Sequence, residues 1–144
     1  MSTVLKVEHR VGVKAPAEQL WERLADFAYW SHWNPHEAEV EGVLGFGAPL
    51  VLTERLPGHP ERRASVRLGD WTPHAQLIWH ERRGWQFRTT RYFEIEELVP
   101  GSCILANGLI VGGLRGEFWF DRHRRGLREA YAGIGENLRR LVEG

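Results

Sequence analysis

One arginine, one histidine and two glutamates fall at inward positions of segments that otherwise read as apolar strand walls. In RTTRYFEIEEL, residues 88–98, side chains alternate between the two sides of a strand. Phe87, Thr89, Arg91, Phe93 and Ile95 therefore share one face, and Arg88, Thr90, Tyr92, Glu94 and Glu96 share the other. A guanidinium among core residues is costly unless it is paired, and its planar fork matches a carboxylate. The same alternation points Leu50, Leu52, Glu54 and Leu56 inward on one strand, and Leu77, Trp79 and Glu81 on another. Leu5, Val7, His9 and Val11 point inward on the first. Arg91 is thus expected to pair with Glu81 or Glu54, and such a pair would orient the polar end of an amphipathic molecule or take its acid group. The competing reading rests the stem of Arg91 on apolar surface with its head in water. His9, Glu54 and Glu81 are the residues placed to serve as general acid and base, should the protein be an enzyme.

Other chemistry finds little support. His32 and His36 have the i, i+4 spacing of helical metal ligands, but Pro35 interrupts any helix between them and no third ligand is evident, so no metal is expected. Gly45–Phe46–Gly47 and Gly112–Gly113 lack the spacing of phosphate-binding loops, and no cofactor is expected. Cys103 is the single cysteine, which excludes an intrachain disulfide and leaves an inert thiol as the default. The basic run RHRRGLR, residues 122–128, reads as a solvated helix face. Lys+Arg and Asp+Glu both number 19, which gives no reason to expect a nucleic-acid partner. No apolar run is long enough to span a membrane, and the N-terminal MSTVLKVEHRVGV lacks the apolar centre of a signal peptide. A cytoplasmic setting is the resulting expectation.

The elements that must position these groups follow from periodicity. Residues 4–14 alternate as a half-buried strand. Pro16 suits a first helical turn, and Leu20, Trp21, Leu24 and Phe27 keep helical spacing; a short second helix is expected near Trp30–Trp33, ended by Pro35. Turn residues then separate six further strands, at about 38–43, 48–56, 62–70, 75–82, 86–98 and 102–111, a spacing that suggests an antiparallel meander. Leu127, Tyr131, Ile134, Leu138 and Leu141 form one stripe of a C-terminal helix that starts near Leu114. Gly126, Gly133 and Gly135 within it point to a bend or a close backbone approach. The 144 residues are expected to form one α+β domain, 1–144, with a curved seven-stranded antiparallel sheet around a long helix. A single helix covers such a sheet only in part, leaving room for a pocket.

In order along the chain, VKAPAEQLWERLADF (13–27), WNPHEAEVEGVLGFGAPL (33–50), LIWH (77–80), RYFEI (91–95), PGS (100–102), GGL (112–114) and GENLRRLVE (135–143) resemble the SRPBCC superfamily. That group includes START domains, Bet v 1-like proteins and polyketide cyclase/dehydrase proteins. The resemblance implies a helix-grip fold and a cavity for lipids, polyketides or other apolar molecules. Two positions depart from the pattern. Arg91 replaces a usual histidine, and Gly108 stands where many relatives carry a glutamate, which removes a carboxylate and enlarges the space behind it.

The expected function is binding of a small hydrophobic or amphipathic ligand. Its expected site comprises His9, Trp30, Glu54, Trp79, Glu81, Phe87, Arg91, Phe93 and Gly108, with no catalytic residue assigned. The alternatives are a cyclase- or dehydratase-type enzyme and a dimeric interaction module using Ile78, Leu105 and Leu109 on an exposed sheet face.

Overall fold

The structure is a computed structural model that describes residues 5–84 and 87–144; the expected strand starts at 4 and 86 lie outside them. The described elements run β1 (Leu5–Val13), α1 (Ala17–Ala25), a 3-10 turn (Phe27–His32), β2 (Glu37–Glu41), β3 (Pro49–Glu54), β4 (Arg62–Thr72), β5 (Gln76–Arg83), β6 (Phe87–Val99), β7 (Ser102–Gly112) and α2 (Gly116–Glu143). All strands pair antiparallel in one seven-stranded sheet, ordered β1-β7-β6-β5-β4-β3-β2. The sheet curls as a half-barrel against α2, which is the α+β helix-grip fold. β2 to β7 form the meander read from the turn residues, and β1 closes onto β7.

The inner face carries the expected apolar alternation. Val7, Leu50, Leu52, Ala64, Val66, Leu68, Leu77, Trp79, Phe93 and Ile95 are all buried. α1 stops at Ala25, and the chain tightens into a 3-10 turn that drives Phe27 and Trp30 into the core. Trp30 is fully buried and touches Trp33, Trp79 and Phe93, with ring centroids 5.1–5.6 Å apart, while its Nε1 donates to the Leu24 carbonyl at 3.0 Å. This aromatic plug fills the end of the half-barrel beneath the Trp-Asn-Pro turn.

α2 has 28 residues, about 42 Å at ~1.5 Å per residue. Its stripe of Leu127, Tyr131, Ile134 and Leu138 is buried as expected. Its two halves are held differently. Towards the C-terminus, Asn137 Nδ2 donates to the Trp33 carbonyl at 3.0 Å, and a Glu143 oxygen accepts from the Lys14 backbone amide at 2.9 Å. Gly135 brings this half so close that a Cβ would lie 2.7 Å from His9 Cδ2 and 3.3 Å from Asn107 Nδ2. Gly126 faces the β3–β4 loop, where a Cβ would sit 3.1 Å from the Pro57 carbonyl oxygen. A Cβ on Gly133 would meet nothing within 4 Å.

These two helix glycines therefore predict opposite outcomes. Gly135→Ala loses about 1–3 kcal/mol through overpacking, whereas Gly133→Ala gains up to about 1 kcal/mol from helix propensity. The shift of the urea midpoint measures both.

Candidate ligand-binding site

Arg91 does face inward, at 2 % exposure, and it has a carboxylate partner. That partner is Glu37, which corrects the expectation of Glu81 or Glu54. Arg91 Nε and Nη2 donate to the two Glu37 oxygens, each at 2.8 Å. Nη2 also donates to Asn107 Oδ1 at 3.0 Å, and Nη1 to the Tyr92 and Gly108 carbonyls at 3.0 and 3.1 Å. All five guanidinium N–H donors are thereby used. The guanidinium carbon lies 4.4 Å from the Phe93 ring centroid and 4.2 Å from that of Tyr131, so the cation is held between two aromatic faces. Burial alone pulls the Arg91 guanidinium down, and the Glu37 charge outweighs it and holds it above its ordinary value. Burial likewise pushes the Tyr131 phenol up.

Glu37 reaches this position through the Trp-Asn-Pro turn. Asn34 is fully buried; its Oδ1 accepts from the His36 and Glu37 amides at 3.1 and 2.9 Å, and its Nδ2 donates to Glu37 Oε1 at 3.2 Å. From the other side, Asn107 Nδ2 donates to the Tyr131 carbonyl of α2 at 3.1 Å. One polar chain thus runs from Asn34 through Glu37, Arg91 and Asn107 to the helix.

Glu54 and Glu81 lie nearby but serve Arg62. Arg62 donates to both Glu54 oxygens at 2.8 and 3.2 Å and to both Glu81 oxygens at 2.7 Å. Those bonds hold the Arg62 guanidinium well above its ordinary value, against the opposing effect of partial burial. Across the sheet the reason is register: Glu54 sits opposite Arg62 on β4, whereas Glu81 sits opposite Thr89 on β6.

Between these two networks lies an enclosed cavity with about 20 Å³ of room for a water-sized molecule, enough for one water. The larger hollow expected beneath α2 is therefore mostly filled with side chains. Glu37, Glu54, Glu81, Arg83, Thr89 and Arg91 supply polar lining, against apolar lining from Leu52, Ala64, Trp79 and Leu109. At one end, Trp119 from α2 closes it together with Arg83, whose guanidinium stands 5.3 Å from the Trp119 ring and 5.4 Å from that of Phe87. His59 of the β3–β4 loop and His123 of α2 pack beside Trp119, their ring centroids 3.8 Å apart.

The structure thus brings Trp79, Glu54, Glu81 and Arg91 together on the cavity wall, with Phe87 beside its mouth. Trp30 and Phe93 belong to the aromatic plug, and His9 packs against Gly135. Gly108 faces the other side of the sheet. A Cβ there would lie 2.5 Å from the Tyr92 hydroxyl, so the space beside Gly108 is on the outer side and is filled by Tyr92, and the glycine does not enlarge the interior as expected. On β7 the faces are reversed from expectation. Leu105 and Leu109 are buried in the core, at 0 and 5 % exposure, and are absent from the outer face offered as a dimer surface. Cys103 is buried, and burial with the nearby Glu97 pushes its thiol up to about 11, consistent with an inert cysteine. Among the described residues no cluster of three or more metal-ligating side chains occurs, and no helix is long and apolar enough to cross a membrane. Sequence reasoning missed Glu37, Asn34, Asn107, Arg62, Arg83 and the Trp119–His59–His123 group. Asn107 carried a signal, since it shares its face with Leu105 and Leu109.

A half-barrel gripping one long helix defines the helix-grip class of folds. Solved structures of that class match nearly the whole chain. A START superfamily protein from Mycobacterium smegmatis superimposes with a TM-score of 0.75 at 20% identity, covering 96% of this chain and 97% of that one. The Zhui aromatase/cyclase from Streptomyces sp. R1128 gives 0.68 at 20% identity, covering 96% of both chains. Norcoclaurine synthase from Thalictrum flavum gives 0.74 at 14% identity, covering 99% of this chain and 96% of that one. The chain spans about half the length, 51%, of the di-domain ARO/CYC protein StfQ, which it matches with a TM-score of 0.77 at 12% identity. No protein-family model and no curated protein sequence matches the chain. The likeness is one of fold, in agreement with the SRPBCC resemblance.

Two outcomes test the electrostatics. Glu37→Gln strands a buried cation and lowers stability by about 3–5 kcal/mol, whereas the double replacement Glu37→Leu/Arg91→Met recovers most of that loss; urea unfolding of the three variants checks it. Burial holds both imidazoles below the ordinary value of 6.5, aided at His59 by the charges of Arg83, Arg62 and Arg122 and at His123 by those of His59, Arg122 and Arg83. The unfolded chain then binds protons before the folded one, so both histidines cost stability as the pH falls below about 6.5. The His59→Gln/His123→Gln variant is expected to lose less stability than the parent over that acid range, as read by melting temperature against pH.

Proposed function

We propose that the protein binds a small hydrophobic or amphipathic molecule in the space between the sheet and α2. One observation carries this reading: five charged side chains, the buried Glu37 and Arg91 and the partly buried Glu54, Glu81 and Arg83, line a small, largely covered cavity between the sheet and α2. A core built for stability alone gains little from such groups, because well-packed apolar replacements of buried ion pairs are often neutral or stabilising. Polar groups converging on a cavity are what a site needs to orient a ligand. The mouth is closed by the side chains of Trp119 and Arg83, with His59 and His123 packed on Trp119, so a molecule larger than water is admitted by rearranging these groups. The neighbours in fold include proteins named as an aromatase/cyclase and a norcoclaurine synthase, which supports a small-molecule role.

The test is a titration with medium-chain fatty acids and polycyclic phenols, followed by melting temperature and tryptophan fluorescence. At least one class is expected to raise the melting temperature and quench the emission of Trp79 and Trp119. Ala64→Leu, which fills the cavity, is expected to abolish both responses. Silence across the panel, or an undiminished response in the filled variant, removes the reading.

A further inference from the structure

We propose that the molecule bound beneath α2 has a flat aromatic body bearing one acidic group, a carboxylate, phenolate or sulfonate, and that Arg83 receives that group at the mouth. This rests on the binding reading above and adds the chemistry of the ligand. Three guanidiniums stand in or beside the cavity, and their hydrogen bonding differs sharply. Arg91 uses all five donors on protein acceptors, and Arg62 places four bonds on Glu54 and Glu81. Among the described residues Arg83 donates no side-chain hydrogen bond. Its nearest carboxylate oxygen is Glu81 Oε1, at 3.8 Å, and that oxygen already accepts from Arg62 Nη2 at 2.7 Å.

Arg83 is nonetheless well covered, at 18 % side-chain exposure. Burial and the repulsion of Arg62 both pull its guanidinium below the ordinary value. A half-buried cation with unused donors gains most from an arriving anion, and its fork takes two acceptor oxygens at once. Glu54 and Glu81 also face this region; Arg62 takes their hydrogen bonds, and its charge together with that of Arg83 balances theirs, so what Arg83 offers an arriving acidic group is its unused N–H donors. A second polar atom at the mouth lacks a partner among the described residues, the buried Nε2 of His59. The aromatic body follows from the walls: Arg83 lies beside the rings of Phe87 and Trp119, which pack on each other with centroids 5.3 Å apart, and Trp79 continues the aromatic surface inside.

A matched pair of probes tests the inference: 8-anilinonaphthalene-1-sulfonate and its neutral counterpart N-phenyl-1-naphthylamine, titrated by fluorescence against the full chain at neutral pH. The wild type is expected to bind the sulfonate about tenfold more tightly than the neutral probe, and Arg83→Gln to weaken the sulfonate about tenfold while leaving the neutral probe within about twofold. Arg83→Lys, which keeps the charge without the fork, is expected to fall between them, and it decides the matter should Arg83→Gln fail to fold. Equal binding of the two probes by the wild type, or an unchanged ratio in the Arg83 variants, overturns the acidic-ligand inference and leaves the cavity reading standing. If neither probe binds, or if Ala64→Leu weakens neither, the probes do not occupy the cavity and the binding reading itself fails.

Discussion

A guanidinium sealed from water has to be answered charge for charge and donor for donor, and much of this fold is arranged around that demand. Arg91 is carried inward by the alternation of β6 and cannot turn away without exposing Phe93 and Ile95. Its carboxylate comes from 54 residues earlier in the chain, at the start of β2. The Asn34 side chain shapes the turn that delivers it. Asn107 accepts from the same guanidinium and grips a carbonyl of α2. Edge strand, central strands and helix are therefore joined through one cation. Such a network tolerates little partial satisfaction, since any member left alone in low dielectric is expensive.

The division of α2 follows from this. Its C-terminal half is drawn against β1 and β7 by Asn107 and by the absent Cβ of Gly135, and is tied to the Trp-Asn-Pro turn by Asn137. Its N-terminal half crosses the open end of the half-barrel and contributes Trp119 and His123, while Phe118 stays 80 % exposed. The same helix thus provides a fixed wall at one end and a ring-lined closure at the other. The polar networks fall on either side of the small cavity, Glu37–Arg91 towards the aromatic plug and Arg62 with its two glutamates towards the β3–β4 loop.

Much of the architecture was legible in the sequence because its signals were strong. Turn residues bounded each strand of the meander, period-two alternation marked the inner face of β3 to β6, and the stripe from Leu127 to Leu138 defined the helix. The inward position of Arg91 and its need for a carboxylate followed from the same alternation. The identity of that carboxylate did not. β2 is irregular, with its pairing shifted between Ala38 and Glu41 and Glu39 at a φ of 51°, so Glu37 and Ala38 are both buried and no alternation reveals them. On β7 the difficulty was different. Apolar or small residues occupy both faces, burial is nearly continuous from Cys103 to Ile110, and nothing in the pattern says which side is the core. The mouth was illegible for a third reason: it joins a loop, a strand end and a helix start that only the folded chain brings together.

The closure at that mouth has a kinetic meaning. Indole, imidazole and phenyl groups move aside by rotating about side-chain torsions, and no rung of the sheet or turn of the helix need break for them to do so. Partly exposed side chains change rotamer on timescales of picoseconds to nanoseconds, far ahead of the microseconds to milliseconds of backbone rearrangement. For the ligand proposed above, residence time would then follow how firmly it is held, with the door itself contributing little delay.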